Sequence, residues 1–158
     1  MNRNIFNKRE RLFSSRVFID LGGVAKALNS IGTKNISDTE VTLLLKLEED
    51  DPNTNREIEK IKKRLTNIWG SKLAFGFFHN IDIGSIFIAG PLSEVFLFEI
   101  DGKKLAELSE GPYGILRGLG IGETVAASHI KALMHGDYLL LKRQGYHNIH
   151  ENKYPQIL

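Results

Sequence analysis

The segment that most constrains the fold is Glu40–Leu47, which runs E-V-T-L-L-L-K-L. A strand with one solvated face alternates apolar and polar residues, whereas this run is almost continuously apolar, which predicts a strand buried on both faces. The chain repeats the pattern as D-Y-L-L-L-K at Asp137–Lys142. The two segments indicate related strands of one sheet, and both faces of that sheet need a cover.

Three stretches have the spacing of amphipathic helices. After a predicted strand at Arg16–Leu21, apolar residues recur at intervals of three and four across residues 23–31. The same spacing predicts a longer inserted helix at 52–69 and a last helix at 123–135. The residues of the two longer apolar stripes are Ile58, Ile61, Leu65 and Ile68, and Ala126, Ile130, Leu133 and Met134.

The order of these elements predicts an α+β fold. One more strand before the last helix gives a ferredoxin-like βαββαβ plan, with an antiparallel four-stranded sheet. Right-handed crossovers would then place the helices at 23–31 and 123–135 on one face. The other face would be covered by the inserted helix, by the apolar segment at 71–119 or by another subunit.

The segment at 71–119 is apolar and punctuated by glycine, and it leaves alternatives open. Ile86–Ala89 and Glu94–Ile100 fit strands, with Asp101-Gly102 as a hairpin turn. Leu92, Val95, Phe96 and Glu99 equally fit one face of a helix, since short apolar runs do not separate the two structures.

The length of 158 residues corresponds to one domain. We expect a basic flexible tail at 1–15, a single α+β domain at 16–145 and a polar C-terminal tail at 146–158. Cysteine is absent, which excludes disulfides and thiol chemistry and fits the cytoplasm. The most apolar stretch contains Glu94, Glu99 and Gly90-Pro91, so we expect no transmembrane segment.

Three blocks of the chain resemble, in the right order, motifs of a known family. I-D-I-G-S-I-F-I-A-G-P-L at Ile81–Leu92 resembles the "PGIGPVxxAGPL" stretch of the heat-induced, YflT-like general stress proteins. Residues 114–141 resemble their "GALxGLGIPEEEAxxYEExLKxGGxLLxV" ending, and R-V-F-I-D-L-G-G-V-A-K-A-L resembles their first strand and helix. The chain departs at Gly122, where the family has proline. The resemblance implies the fold and a stress context, with no catalytic residues to carry over.

A glycine-rich turn before the last helix is a candidate ligand site. Helix N-termini bind anions through free N–H groups, so the turn and the first helical residue could hold a phosphate or another small anion. The full G-x-G-x-x-G spacing is missing, and the alternative is a tight turn packed on the sheet. The candidate residues are Gly118, Gly120, Gly122 and Glu123.

Other polar constellations are weaker. His147 and His150 are three residues apart, but no further metal ligand is evident, so we expect no metal site. His129 lies beside the apolar stripe of the last helix, which favours a packed histidine over a catalytic base. No catalytic motif is present, and we expect neither an enzyme nor a cofactor. The basic arm at 1–16 could contact nucleic acid, although a solubilising role is the simpler interpretation.

The strongest feature of the middle segment is its surplus of phenylalanine. A small sheet does not easily bury so many rings in one layer, and exposed apolar patches mark contacts between proteins. We therefore predict self-association, with a two-fold dimer as the first expectation. The alternative is a second core layer under the inserted helix. The predicted interface residues are Phe75, Phe77, Phe78, Phe87, Phe96 and Phe98.

Overall fold

A computed structural model of the chain describes residues 13–31, 41–48, 54–69 and 74–143. Its strands are β1 (Phe13–Phe18), β2 (Val41–Lys46), β3 (Phe75–Asn80), β4 (Gly84–Ala89), β5 (Glu99–Ile100), β6 (Lys103–Lys104) and β7 (Tyr138–Arg143). Its helices are α1 (Leu21–Ile31), α2 (Thr54–Trp69), α3 (Ser93–Phe96), α4 (Gly111–Gly118) and α5 (Glu123–Met134), with a 3-10 turn at Leu105–Glu107.

The main sheet has five antiparallel strands in the order β1-β7-β2-β4-β3. The α+β class is therefore confirmed. The ferredoxin-like βαββαβ order is not confirmed, because the sheet has a fifth strand and β3 and β4 form a hairpin next to β2. The repeated apolar segments, β2 and β7, pair with each other in the middle of the sheet.

Helices cover both faces of this sheet, so the prediction of helices 23–31 and 123–135 on one face is wrong. Leu44 of β2 packs in one core cluster with Ala126 and Leu133 of α5. Leu43 and Leu45, which point the other way, pack in a second cluster with α1 and α2. The physical reason is β2 itself, because a strand apolar on both faces needs a helical layer on each side.

The inserted helix packs on the second cluster as its apolar stripe predicts. Ile58, Ile61 and Leu65 of α2 are buried against β2 and β4, and the predicted contact of Ile68 lies outside the described side chains. The charged residues between them face solvent. The helix therefore replaces the second subunit that could have covered this face.

The segment at 71–119 contains both kinds of structure. Ile86–Ala89 lies in β4, whereas Glu94–Ile100 divides into the short helix α3 and the two-residue strand β5. Asp101-Gly102 forms the predicted hairpin turn between β5 and β6, and both residues have positive φ angles of 53° and 81°.

The first strand differs from its predicted bounds. β1 begins at Phe13, inside the predicted basic tail, and it ends at Phe18, three residues before the predicted end of the strand. The rest of that tail and the predicted polar tail at 146–158 lie outside the described residues. None of the helices in the described ranges combines the length and apolar character that crossing a bilayer requires.

Candidate functional site

The described residues form an open groove of about 990 Å³. It runs along α5, and its other walls are the β3–β4 turn and the beginning of α4. Most of its lining is apolar, with carboxylates around it. The lining residues that matter below are Ile83, Pro112, Tyr113, Ile130 and Met134, and the charged Asp82, Glu110, Glu123 and Lys131.

Asn80 holds one end of the groove together. Its side chain is 1% exposed and makes four hydrogen bonds. The Nδ2 atom donates to the carbonyls of Ala106 at 3.0 Å and Leu108 at 3.1 Å. The Oδ1 atom accepts from the N–H groups of Asp82 at 2.9 Å and Ile83 at 3.2 Å. This residue therefore ties the β3–β4 turn to the segment that leads into α4.

Glu110 stands at the entrance to α4 in a conformation that side chains seldom adopt. The N–H of Gly111 donates to the carbonyl of Leu108 at 2.8 Å, which closes a tight turn. Glu110 lies within that turn with φ 58° and ψ 12°, in the left-handed region. Its carboxylate is exposed on the groove.

The glycine-rich turn caps the C-terminal end of α4. Gly120 has φ 91°, and its N–H donates to the carbonyl of Arg117 at 3.0 Å. The N–H of Ile121 donates to the carbonyl of Leu116 at 3.1 Å, which completes a Schellman motif at the end of α4. These two N–H groups are thus occupied within the chain.

The other predicted ligand residues, Gly118, Gly122 and Glu123, are exposed. A side chain at Gly118 or Gly122 would meet no atom within 4 Å, so neither glycine is needed for tight packing on the sheet. Glu123 is exposed in the first turn of α5 and lines the groove. The groove has three carboxylates and one lysine, so its net negative charge repels an anion. Anion binding at these four residues stays a prediction without a structural observation in its favour.

Three of the six predicted interface phenylalanines belong to the core. Phe78 is 3% exposed, and Phe87 and Phe96 are fully buried. Their assignment to an interface is therefore corrected, because the chain covers both faces of its own sheet. Phe75, Phe77 and Phe98 remain exposed, at 46%, 41% and 61%.

His129 is a packed histidine, as its position beside the apolar stripe predicted. It is 8% exposed, and its Nε2 atom lies 2.6 Å from the Oγ atom of Ser15 on β1. Burial lowers its pKa from the ordinary value of 6.5. The Nδ1 atom has no hydrogen-bond partner among the described residues, so the neutral ring is favoured.

The two histidines that the sequence analysis considered as metal ligands, His147 and His150, lie outside the described residues. Within the described part of the chain, no group of three histidine, aspartate or glutamate side chains is placed to hold a metal ion. The groove and the role of Asn80 were not predicted from the sequence. Asn80-Ile81-Asp82 could have indicated a turn, since asparagine side chains often hydrogen-bond to backbone groups of the turn in which they lie.

Comparison with known proteins adds no assignment to this geometry. No protein-family model, no curated protein and no solved structure matches the chain.

Proposed function

We propose that the protein is a non-enzymatic, stress-associated protein that works through self-association, with a second copy of the chain as its partner. The observation that carries the proposal is the exposure of three phenylalanines on the two sides of the edge strand β3. We call Phe75, Phe77 and Phe98, with the neighbouring Val95 and Ile100, the β3 surface. All five side chains are at least 40% exposed.

The first part of the β3 surface lies on the face that carries α2. Phe75 and Phe77 pack against the buried ring of Phe87, with ring centroids 6.1 Å and 5.3 Å away. Lys62 of α2 places its Nζ atom 4.1 Å from the centroid of Phe75. The helix thus shields one side of this pair of rings and leaves the outer side open to a partner.

The second part lies beyond the strand edge, on α3 and the start of the β5–β6 hairpin. Phe98 follows α3, and its carbonyl accepts from the N–H of Leu105 at 2.7 Å. Phe98 and Val95 line a shallow depression of about 280 Å³ with Glu94 and Leu105. A depression beside an exposed ring suits isologous packing, in which a ring of each copy enters the depression of the other.

Strand addition at β3 is disfavoured by Lys104. Its Nζ atom donates to the carbonyl of Phe77 at 2.8 Å, at the edge where an added strand would pair. A lysine on an edge strand is a common device against edge-to-edge pairing. The proposed partner therefore packs against side chains and does not extend the sheet.

The exposed area is sufficient for a weak dimer. From their exposed fractions, the three rings present roughly 300 Å² of apolar surface. A stable interface buries about 800 Å² on each partner, so the rings would form its centre and the hairpin its rim. At ~25 cal/mol per Å² the rings contribute about 7 kcal/mol per copy before the costs of association.

The stress context and the cytoplasmic setting are part of the same proposal. The stress context rests on the three blocks that resemble the heat-induced general stress proteins, and the cytoplasmic setting on the absence of cysteine. The self-association rests on neither, so it can be tested without them.

Sedimentation velocity of the full chain at micromolar concentration tests the proposal. We expect a reversible dimer, and Phe98→Gln should weaken it by ~100-fold or more because a two-fold interface loses the ring twice. Ile19→Gln is the matched control, since Ile19 is 83% exposed and lies outside the β3 surface. A monomer at these concentrations, or equal effects of the two substitutions, would refute self-association through this surface.

A further inference from the structure

The groove beside α5 combines an apolar floor with an acidic rim. Ile83 is 3% exposed and Met134 is 42% exposed, and both line it. The carboxylates of Asp82, Glu110 and Glu123 surround this floor. No lysine, arginine or histidine nitrogen of the described residues lies within ion-pair distance of them. An occupant that fits must carry both apolar and positively charged side chains.

The chain itself contains a segment of that chemistry. Residues 1–12 include four basic residues and one acidic residue, so the segment is strongly basic. Ile5, Phe6 and Leu12 are interspersed among the basic positions. Among the described residues, Lys131 is the one basic residue that lines the groove, against three carboxylates, so the groove has a net negative charge. The segment has a net positive charge and is complementary to it.

The segment joins β1, which lies beside α5, and its length decides whether it can reach the groove. Ser15 of β1 lies beside His129 of α5, so the chain before Phe13 leaves the sheet next to this helix. Twelve extended residues span roughly 40 Å, and α5 is roughly 18 Å long, so the segment can reach the whole groove.

We propose that the groove between α5, α4 and the β3–β4 turn is the docking site of the chain's own basic segment, residues 1–12. Arginine and lysine side chains of the segment meet the three carboxylates, and its apolar side chains meet the floor. The proposal is independent of the β3 surface, which lies elsewhere on the molecule.

Paramagnetic relaxation in the full chain tests this directly. The chain has no cysteine, so Asn4→Cys provides a single attachment point for a nitroxide label. We expect the amide signals of Asp82, Tyr113 and Ser128 to be broadened, and those of Lys26 and Arg56 on the opposite layer to be unchanged. Broadening should fall as salt screens the exposed charges. Groove signals that are no more broadened than those of Lys26 at low salt would overturn the proposal.

Charge-matched variants separate docking in the groove from attraction to any acidic surface. Neutralising the rim with Asp82→Asn, Glu110→Gln and Glu123→Gln should abolish the broadening. Neutralising three exposed acids outside the groove, with Glu94→Gln, Glu99→Gln and Asp101→Asn, should leave it unchanged. Equal loss in both triple variants would show non-specific attraction and overturn the proposal.

A mixed sample determines whether the contact is made within one chain. Isotope-labelled chain without the nitroxide is mixed with unlabelled chain that carries it, so only contacts between copies broaden the signals. We expect no broadening of the groove in this mixture. Broadening there that equals the effect within the singly labelled chain would assign the groove to the segment of a second copy and overturn the intramolecular proposal.

Discussion

Asn80 offers the most informative perturbation, because one buried side chain joins two segments that shape the groove. Its amide group serves two carbonyls of the segment before α4 and two N–H groups of the β3–β4 turn. Asn80→Ala removes the amide group and therefore all four hydrogen bonds. Asn80→Asp keeps an acceptor for the two N–H groups but points a second oxygen at the carbonyls of Ala106 and Leu108.

The magnitudes follow from those bonds. A net value of ~1 kcal/mol per hydrogen bond gives about 4 kcal/mol for four bonds. Asp82 is exposed, so water can replace the bond to its N–H, and we expect about 3 kcal/mol for Asn80→Ala. Asn80→Asp should cost at least as much at neutral pH, because it also places a carboxylate, almost fully buried, beside two carbonyl oxygens.

Urea unfolding followed by circular dichroism measures both changes, with Asn29→Asp on the exposed side of α1 as the control. Acidification should recover part of the stability of Asn80→Asp, since a protonated carboxyl group can donate to one of the two carbonyls. If Asn80→Asp lies within ~0.5 kcal/mol of the unmodified chain at neutral pH, the four-bond account is wrong.

Three further outcomes are expected. Leu65→Ala should lower the free energy of unfolding by ~2–5 kcal/mol, because this side chain of α2 is only 2% exposed; a change typical of a surface site would show that the apolar stripe of α2 is not buried. Gly120→Ala should destabilise by ~1 kcal/mol through its φ of 91°, whereas Gly118→Ala in the last turn of α4 should stabilise by ~0.5–1 kcal/mol, as thermal unfolding of the pair would show. The lowered pKa of His129 means that the unfolded state binds more protons below pH 6.5, so stability should fall as the pH drops through that value; His129→Gln should flatten this part of the profile, and an unchanged slope would contradict the assignment.

The central strands and the two long helices were predictable because their signals are local. A run of apolar residues identified β2 and β7, and regular spacing identified α2 and α5. The placement of the helices was not predictable in the same way. The apolar run of β2 already indicated burial on both faces, yet the ferredoxin-like plan needs helices on only one. The pattern of the strand was the better guide than the order of the elements.

β3 and α4 were missed because both contain glycines that interrupt the usual pattern of a strand or a helix. Contacts with other parts of the fold account for these elements. β3 contains Gly76, where a side chain would collide with Leu97, so the strand carries a gap in its apolar pattern. α4 begins with Gly111-Pro112 and contains two more glycines. Such a composition predicts a loop, since glycine weakens a helix by ~1 kcal/mol per residue. Packing of Ile115 and Leu116 in the core overrides that preference.

Gly90 and Gly120 each have a structural role in the fold. Gly90 of A-G-P-L has φ 127°, and a side chain there would meet the carbonyl of Val41 and lie 2.8 Å from the Oγ1 atom of Thr42. That Oγ1 atom accepts from the N–H of Leu92 at 3.1 Å, so the motif closes β4 onto β2. Gly120 likewise ends α4. The fold alone therefore accounts for both glycines. The surfaces proposed here to contact partners, such as those of Phe98 and Glu110, lie elsewhere in the chain, because function depends on the sites that a fold carries and not on the fold itself.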